Sequence, residues 1–519
     1  AAVSFEVPPF DGTLRLMAVV WTATAVGEAS EDVLVRDPVV VQGSLPRFMT
    51  PGDRSRLHLE LTHVAGAAGS MQLMVTGHGL AEVPASVELS EGGRAVLDLP
   101  LAPTEVGEHS YEVTLTTPDG VEVRRELRLS VLHTDPETSS SERLELAPGR
   151  TLVLDDSYIA DFRPGTATLT LAAGRAGALD LPRQVRSLSG YGYGSTERLA
   201  SSLLPLFLAP DLVAELNLAD AEERTERLQR TLDRLLTRQA ANGSIGLWYP
   251  GGFDVWLDAY VTEVLLKAEA HGAAVPEGAI RMALDNLRNR LARAGSMLDG
   301  AAGYAYAFYV LAQAGEAAIG DLRYHADVRA DTFDTPLAAA HLGAALALYG
   351  ERARSEAMFE RAERLALADA DETVWRADFG TELRDRAALL ALAAEAGSSA
   401  VDRDRLIGLV TTGLSKRYLS TQEAAWLLRA AVAVGTADAG ALELDGEALD
   451  GSVVTLDVSE TRQITNVGNE NVTVTITAFG VPVTPPAAGG AGYSISRTHY
   501  TPEGELADLD AIRAGDRLV

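Results

Sequence analysis

The sequence predicts a multidomain chain: all-β sandwich domains plus an α/α toroid of the six-hairpin type, inserted into a β-domain that the insertion splits in two. Three observations predict it. Short segments of alternating polar and apolar residues, broken by turn residues, recur up to about residue 183 and again over 441–484. Between them runs a long block rich in Ala, Leu and Arg, with apolar residues at helical spacing. The two β pieces flanking that block are each too small for an independent sandwich, so they read as halves of one domain.

Residues 1–36 read as the last strands of a β-domain, with "GTLRLMAVVWTA" already in mid-flow. Residues 37–134 read as one complete sandwich. Its expected strands are Val39–Val41, Arg56–Thr62, Met71–Thr76, Ser86–Leu89, Arg94–Leu99, Ser110–Thr116 and Val123–Leu132. "LHLELTHV" and "SYEVTLTT" each alternate an apolar with a polar face, and Pro118-Asp119-Gly120 is a hairpin turn. Seven short strands with frequent turns indicate a fibronectin- or immunoglobulin-type sandwich.

"HTDPETSSSERLELAPGR" has no apolar period and is rich in Ser, Pro and Glu, so 135–150 reads as a linker. Strand returns over 151–183, clearest in "TATLTLAA". The helical domain occupies 184–440, its periodic part running from about 195 to 436. Leu199, Leu203, Leu206 and Phe207 show the spacing, as do Val255, Leu257, Val261, Val264 and Leu265. Eleven or twelve helices in pairs can stack as an open solenoid or close into a toroid. Alanine-rich pairs with aromatics spaced along them fit the closed form better. Residues 441–484 are strands again ("SVVTLDV", "RQITNV", "NVTVTITAFG"), and 485–519 read as the start of a further β-domain. Both ends read as cut, so the chain is expected to be a fragment of a longer protein.

Composition narrows the function. A net charge of −29 argues against nucleic acid, which needs clustered Lys and Arg. The absence of cysteine excludes disulfides, cysteine–zinc sites and thiol catalysis. No apolar run is long enough to span a membrane. Nothing in the pattern calls for a cofactor or a metal.

The residues that invite a chemical reading are "GYGYGSTERLASSLLP", Gly190 to Pro205, where strand gives way to helix. Ser195 as a nucleophile needs a base, and the nine histidines are scattered. As the cap of the helix that follows, Ser195 or Thr196 needs nothing more. Arg198 in the first turn opposes the helix dipole and is expected to pair with a carboxylate, Glu197 or one across the domain.

The architecture, and several stretches within it, resemble the thioester region of the alpha-2-macroglobulin and complement superfamily, in particular its bacterial members. The stretches are "DGTLRLMAVVWT" with "DPVVVQGSLPRFMTPGDRSRL", "GSIGLWYPGGFDVWLDAYVTEVLLKAEAHG", "LSTQEAAWLLRA" and "GYSISRTHYTPEGELADL". The resemblance makes 37–134 a macroglobulin-like domain and the split pieces 151–183 and 441–484 a CUB-like domain. It makes 184–440 a thioester-like toroid and 485–519 the start of a truncated receptor-binding-like domain.

The family's reactive motif is Tyr-Gly-Cys-x-Glu-Gln, in which the cysteine sulfur is acylated by the glutamine. The matching residues are Tyr193, Gly194, Ser195, Thr196, Glu197 and Arg198. Tyr193, Gly194 and Glu197 are kept; Ser195 and Arg198 replace the two reactants. A serine forms only an ester, and an arginine has no carboxamide to donate. The resemblance therefore points to the thioester-less type: a non-enzymatic, periplasmic protein, lipid-anchored through an N-terminus outside these residues. It would trap proteases without a covalent bond, through a bait upstream, or act with other envelope proteins.

A non-inhibitory envelope scaffold with no protease contact is one competing reading; a carbohydrate-active α/α-toroid enzyme with accessory β-domains is the other. Asp254, Asp258 and Glu263, or Asp331 and Asp334, would supply its acid pair. Against it, Asp254 and Asp334 stand where helix N-caps fall. Trp248, Trp256, Trp375 and Trp426 read as core aromatics rather than sugar platforms. Ser420 and Glu423 fit a capping box. His58, His63 and His78 lack metal-ligand spacing.

Overall fold

The computed structural model describes residues 12–22, 24–190, 194–294, 301–368, 376–414, 418–435, 441–449, 451–456, 460–487, 489, 494–512 and 516–519. The chain divides into two compact units, 1–136 and 137–519.

The first unit contains a two-stranded hairpin, Gly12–Trp21 against Val26–Val35, and a sandwich. One sheet of the sandwich has the order Phe48–Met49, Glu122–Val131, Gly107–Thr116, Gly69–Thr76, Ser86–Leu89. The other has Val39–Ser44, Ser55–His63, Arg94–Leu101. Period-two alternation buries Leu57, Leu59 and Leu61 from one sheet against Leu73, Val113 and Leu115 from the other. Each of the seven expected strands falls on an observed one. Phe48–Met49, too short to show a period, adds a parallel edge on Ser130 and Val131.

In the second unit, two four-stranded sheets each mix strands from before and after the helices. One runs Thr138–Leu146, Val472–Gly480, Thr168–Ala173, Val453–Leu456; the other runs Thr151–Leu154, Arg462–Asn466, Leu442–Leu444, Glu447–Ala448. Leu154, Leu169, Leu171, Ile464, Val474 and Ile476 share their core. Pairing across some three hundred residues makes the two pieces mutually dependent.

The expected linker 135–150 is a correction. It carries the strand Thr138–Leu146, paired from Thr138↔Gly480 to Leu146↔Val472. As an edge strand it leaves most side chains exposed, so Ser, Thr and Glu are tolerated and no apolar period develops. The strand expectation over 151–183 holds only to Ala173. Two helices follow, α1 (Gly174–Ala178) and α2 (Leu181–Ser189). Leu181, Val185 and Leu188 have helical spacing and Pro182 sits in the first turn, a signal hidden by the preceding glycines. Over 485–519 the described residues form an isolated bridge, Tyr500↔Leu506, and a 3₁₀ turn, Leu509–Ala511, with no strand. Tyr500 and Val519 also exchange two backbone hydrogen bonds, at 3.0 and 2.9 Å, but the pairing does not extend into a ladder among the described residues.

The remaining helices are α3 (Thr196–Leu208), α4 (Pro210–Glu215), α5 (Ala221–Leu236), α6 (Val255–Ala270), α7 (Glu277–Ala294), α8 (Ala301–Gln313), α9 (Ile319–Val328), α10 (Pro336–Leu348), α11 (Arg352–Ala366), α12 (Glu382–Glu395), α13 (Arg403–Gly413) and α14 (Thr421–Val434). Six of them close an inner ring: α3 packs on α6, then α8, α10, α12 and α14, which returns to α3. The closed form of the two left open by the sequence is thus the one adopted. Helices α2, α5, α7, α9, α11 and α13 lie outside.

The division follows composition. Helix α8, AAGYAYAFYVLAQ, and α10, PLAAAHLGAALAL, are buried on almost every face. Helix α5 buries only Leu232 and Leu235 and turns Glu, Arg and Gln outward. The inner N-termini gather at one end, where those of α6, α8 and α10 border one cavity. Gln422 at the start of α14 meets Glu197 at the start of α3 there, and Glu423 meets Thr381 at the start of α12.

Candidate functional site

Gly194 to Arg198 form the start of α3, the first inner helix; Tyr193 lies outside the described residues. Ser195 is the N-cap, its hydroxyl accepting from the Arg198 backbone N–H at 3.3 Å. Thr196 is fully buried. Its backbone N–H donates to the Leu247 carbonyl at 2.9 Å, and its hydroxyl is shared between the Gly246 and Leu247 carbonyls.

Arg238 completes the frame. It donates to the Thr196 hydroxyl, the Leu247 carbonyl and the Gly194 carbonyl, each at 3.0 Å. Its guanidinium also lies 6.0 Å from the Trp248 ring. Sequence reasoning did not single out Arg238, because an arginine forty residues downstream carries no local signal of this contact.

Glu197 is buried on the inner side of α3. Its carboxylate accepts from the Gln422 amide at 2.6 Å and from the Ser201 hydroxyl at 3.1 Å. The Ser201 hydroxyl is in turn 2.6 Å from that of Tyr260. Burial pushes the Glu197 carboxyl above its ordinary range, and the bonds from Gln422 and Ser201 oppose it.

Arg198 corrects an expectation. Among the described residues it makes no ion pair with a carboxylate. It donates to the Ser187 carbonyl at 2.9 Å and reaches the Thr421 hydroxyl at 3.5 Å. Ser187 lies in the last turn of α2, where backbone carbonyls have no partner within the helix. Arg227 similarly donates to the Ser189 carbonyl. A cation at a helix C-terminus is favourable, which offsets the poor position of Arg198 in its own helix. Gly194 is required here, because a Cβ on it would lie 2.9 Å from Arg198 Cγ.

The candidate acids divide. Asp254 caps α6 as expected, accepting from the Leu257 N–H at 3.1 Å. Asp258 is buried and held by Asn286, Arg290 and the Ile245 N–H. Glu263 is buried under a two-pronged bond from Arg429, with Tyr306, Gln313 and Lys267 beside it. Burial alone would raise the Glu263 carboxyl; Arg429 and Lys267 outweigh it and bring its pKa to about 2. Asp331 pairs with Arg361 at 2.9 Å. Asp334 is not a cap: Thr335 takes that place in α10, accepting from the Ala338 N–H at 3.2 Å. The β-hydroxyl one residue nearer the helix wins because Pro336 already occupies its first turn.

Asp254 and Asp334 do border one cavity of about 620 Å³, with Trp256, Tyr304, Arg376 and Asp378. Asp378 there is neutralised by Arg376 and Arg384. Trp256 and Trp426 are buried among inner-ring aromatics; Trp248 is exposed, and Trp375 lies outside the described residues. Ser420 and Glu423 form the capping box of α14. His58 bonds Asp98, His63 accepts from the Gly92 N–H, and His78 stacks on His109. Among the described residues no cluster of three or more His, Asp or Glu could hold a metal.

What these features define is a class: a β-domain interrupted by a closed α/α toroid whose first inner helix is capped by Ser195, with no base hydrogen-bonded to that hydroxyl among the described residues. No family model matches the chain. It is 30% identical over 555 residues to the alpha-2-macroglobulin of Escherichia coli strain K12, covering 100% of this chain and 33% of that protein. The crystal structure of Salmonella alpha-2-macroglobulin reacted with methylamine superposes with TM-score 0.83 at 28% identity, covering 98% of this chain and 35% of the other. That of native Escherichia coli alpha-2-macroglobulin from domain MG7 to the C-terminus gives TM-score 0.77 at 28% identity, covering 93% of this chain and 80% of the other. The chain is homologous, over its whole length, to the bacterial alpha-2-macroglobulins. It spans about a third of the length of the curated relatives it matches.

Proposed function

We propose that this chain is the C-terminal portion of an alpha-2-macroglobulin-type protein that lacks the reactive thioester and restrains proteases by non-covalent entrapment. One observation carries the reading: the residues at the motif positions are committed to other work. The Ser195 hydroxyl caps α3, and the Arg198 side chain is seated on the Ser187 carbonyl. With no cysteine in the chain, there is no thiol to acylate. In this reading the protein is not an enzyme, and its contacts with a captured protease are those of surfaces.

The same proposal places 37–134 as a macroglobulin-like domain and 151–183 with 441–484, joined by the strand Thr138–Leu146, as the CUB-like domain. It takes 485–519 as the opening of a receptor-binding-like domain. It locates the whole protein in the periplasm, anchored by lipid to a membrane, with proteases and other envelope proteins as partners.

The test uses the full-length protein and a panel of proteases. Entrapment leaves activity toward small peptides and removes it toward large protein substrates, after limited cleavage upstream of this region. Unchanged activity toward both, with no cleavage, overturns it. Methylamine, with which the Salmonella relative was reacted, separates the thioester question: no incorporation is expected near Arg198. Cell fractionation tests the periplasmic placement.

A toroid enzyme keeps one supporting observation, the shared cavity of Asp254 and Asp334. Glycan hydrolysis abolished by Asp334→Asn would favour it.

A further inference from the structure

We propose that the residues standing at the family's motif positions form a non-covalent clasp that shuts the toroid. This inference goes beyond protease entrapment and does not depend on it. A ring of six inner helices has one joint that no local connection holds. Here it lies between α3 and α14, whose contacting residues Glu197 and Gln422 are 225 positions apart. Closing so long a loop costs chain entropy, and only side-chain contacts at the joint offset it.

Two stitches cross that joint. The inner stitch is a buried relay from Gln422 on α14 to Glu197 and Ser201 on α3, then to Tyr260 on α6. All four residues are at most 6% exposed. The outer stitch is Arg198, which ties α3 to the last turn of α2 through Ser187 and reaches Thr421 at the first residue of α14. Helix α14 packs on both α2 and α3. The capping box and the Glu423–Thr381 bond at 2.8 Å hold the same end of α14 against α12. Glu197 and Arg198 are adjacent in sequence, so one helix turn supplies both stitches. The guanidinium spans α2, α3 and α14, whereas a bond between positions 195 and 198 would have spanned one turn of α3.

Amide hydrogen exchange on the full chain tests this. In Arg198→Ala and in Gln422→Ala, amides of the first turns of α3 and α14 should exchange about tenfold faster or more, the loss expected of one hydrogen bond to a charged group. Amides of α8 and α10, across the ring, should be unchanged. Unchanged exchange in α3 and α14, or an equal rise in α8 and α10, overturns the clasp. Arg198 is half-buried, so its variant is expected to fold even if Gln422→Ala does not. A cycle of Glu197→Ala with Gln422→Ala adds a separate readout. The two changes should be non-additive, and additivity contradicts a shared stitch.

Discussion

Arg429, on the last inner helix, donates two hydrogen bonds to Glu263, on the second inner helix, at 2.9 and 2.8 Å. The two helices are not neighbours in the ring, so the pair reaches through its interior past α3. Both side chains are almost fully buried. Tyr306 and Gln313 donate to the same carboxylate, and Lys267 stands 3.6 Å away. The Arg429 guanidinium carbon lies 3.9 Å from the Trp426 ring centroid.

Removing Glu263 takes from the buried Arg429 both bonds to its carboxylate, and removing Arg429 leaves the buried Glu263 with only Lys267, Tyr306 and Gln313 around it among the described residues. Glu263→Ala or Arg429→Ala is expected to cost about 3–5 kcal/mol, whereas Glu263→Leu with Arg429→Met should cost less than either. Urea denaturation of the three variants checks the order. A double variant less stable than both singles would contradict it.

His341 is fully buried, stacked 4.1 Å from the Tyr306 ring, with neither ring nitrogen hydrogen-bonded to any of the described residues. Burial holds its pKa well below the ordinary 6.5; Arg429 and Arg384 push the same way and Glu263 and Asp378 oppose. The unfolded chain takes up a proton near pH 6.5 and the folded one does not. Stability from this residue is therefore full above pH 6.5 and falls as pH drops below it, by up to about 1.4 kcal/mol per unit. His341→Leu should flatten that slope between pH 7.5 and 5.5, as read from urea midpoints. An unchanged slope refutes it.

Thr196→Val keeps the shape of the side chain and removes its hydroxyl, stranding the Gly246 carbonyl and one Arg238 donor. A loss of about 2 kcal/mol is expected. Ser195→Ala removes only the cap and should cost about 1 kcal/mol. Thermal unfolding ranks the two, with Thr196 the more costly.

Ser195→Cys with Arg198→Gln restores both reactants at the start of α3, three positions apart on one helix face. The thiol can then displace ammonia from the glutamine amide. Intact mass should fall by one ammonia, and methylamine should add to residue 198 with release of the thiol. Either single variant should do neither. A double variant of unchanged mass would mean that the frame held by Arg238 and Thr196 does not align the two groups.

The sandwich strands were legible because one face of each is buried, and burial on one face writes a period of two. The strand Thr138–Leu146 was not legible: an edge with exposed side chains writes no period. The helical block announced itself by composition, but its first helices, α1 and α2, are short and begin among glycines. At the site, the cap by Ser195 could be read locally. Arg238, Gln422 and Ser187, the partners that give the tetrad its surroundings, sit 11 to 225 positions from the residues they touch.

From its own residues the chain determined the strands of the sandwich and the helical character of the block from about residue 195, that no thiol chemistry is open to it, and that two small β pieces need each other. These follow from local periodicity and from which atoms are present. Only the tertiary structure decided that the helices close into a ring rather than stack openly. It also decided that Arg198 faces a helix C-terminus instead of a carboxylate, and that Asp258 and Glu263 are buried and held by arginines. Closure and pairing join residues far apart in the chain, and their free energy lies in burial and in hydrogen bonds that no local pattern encodes.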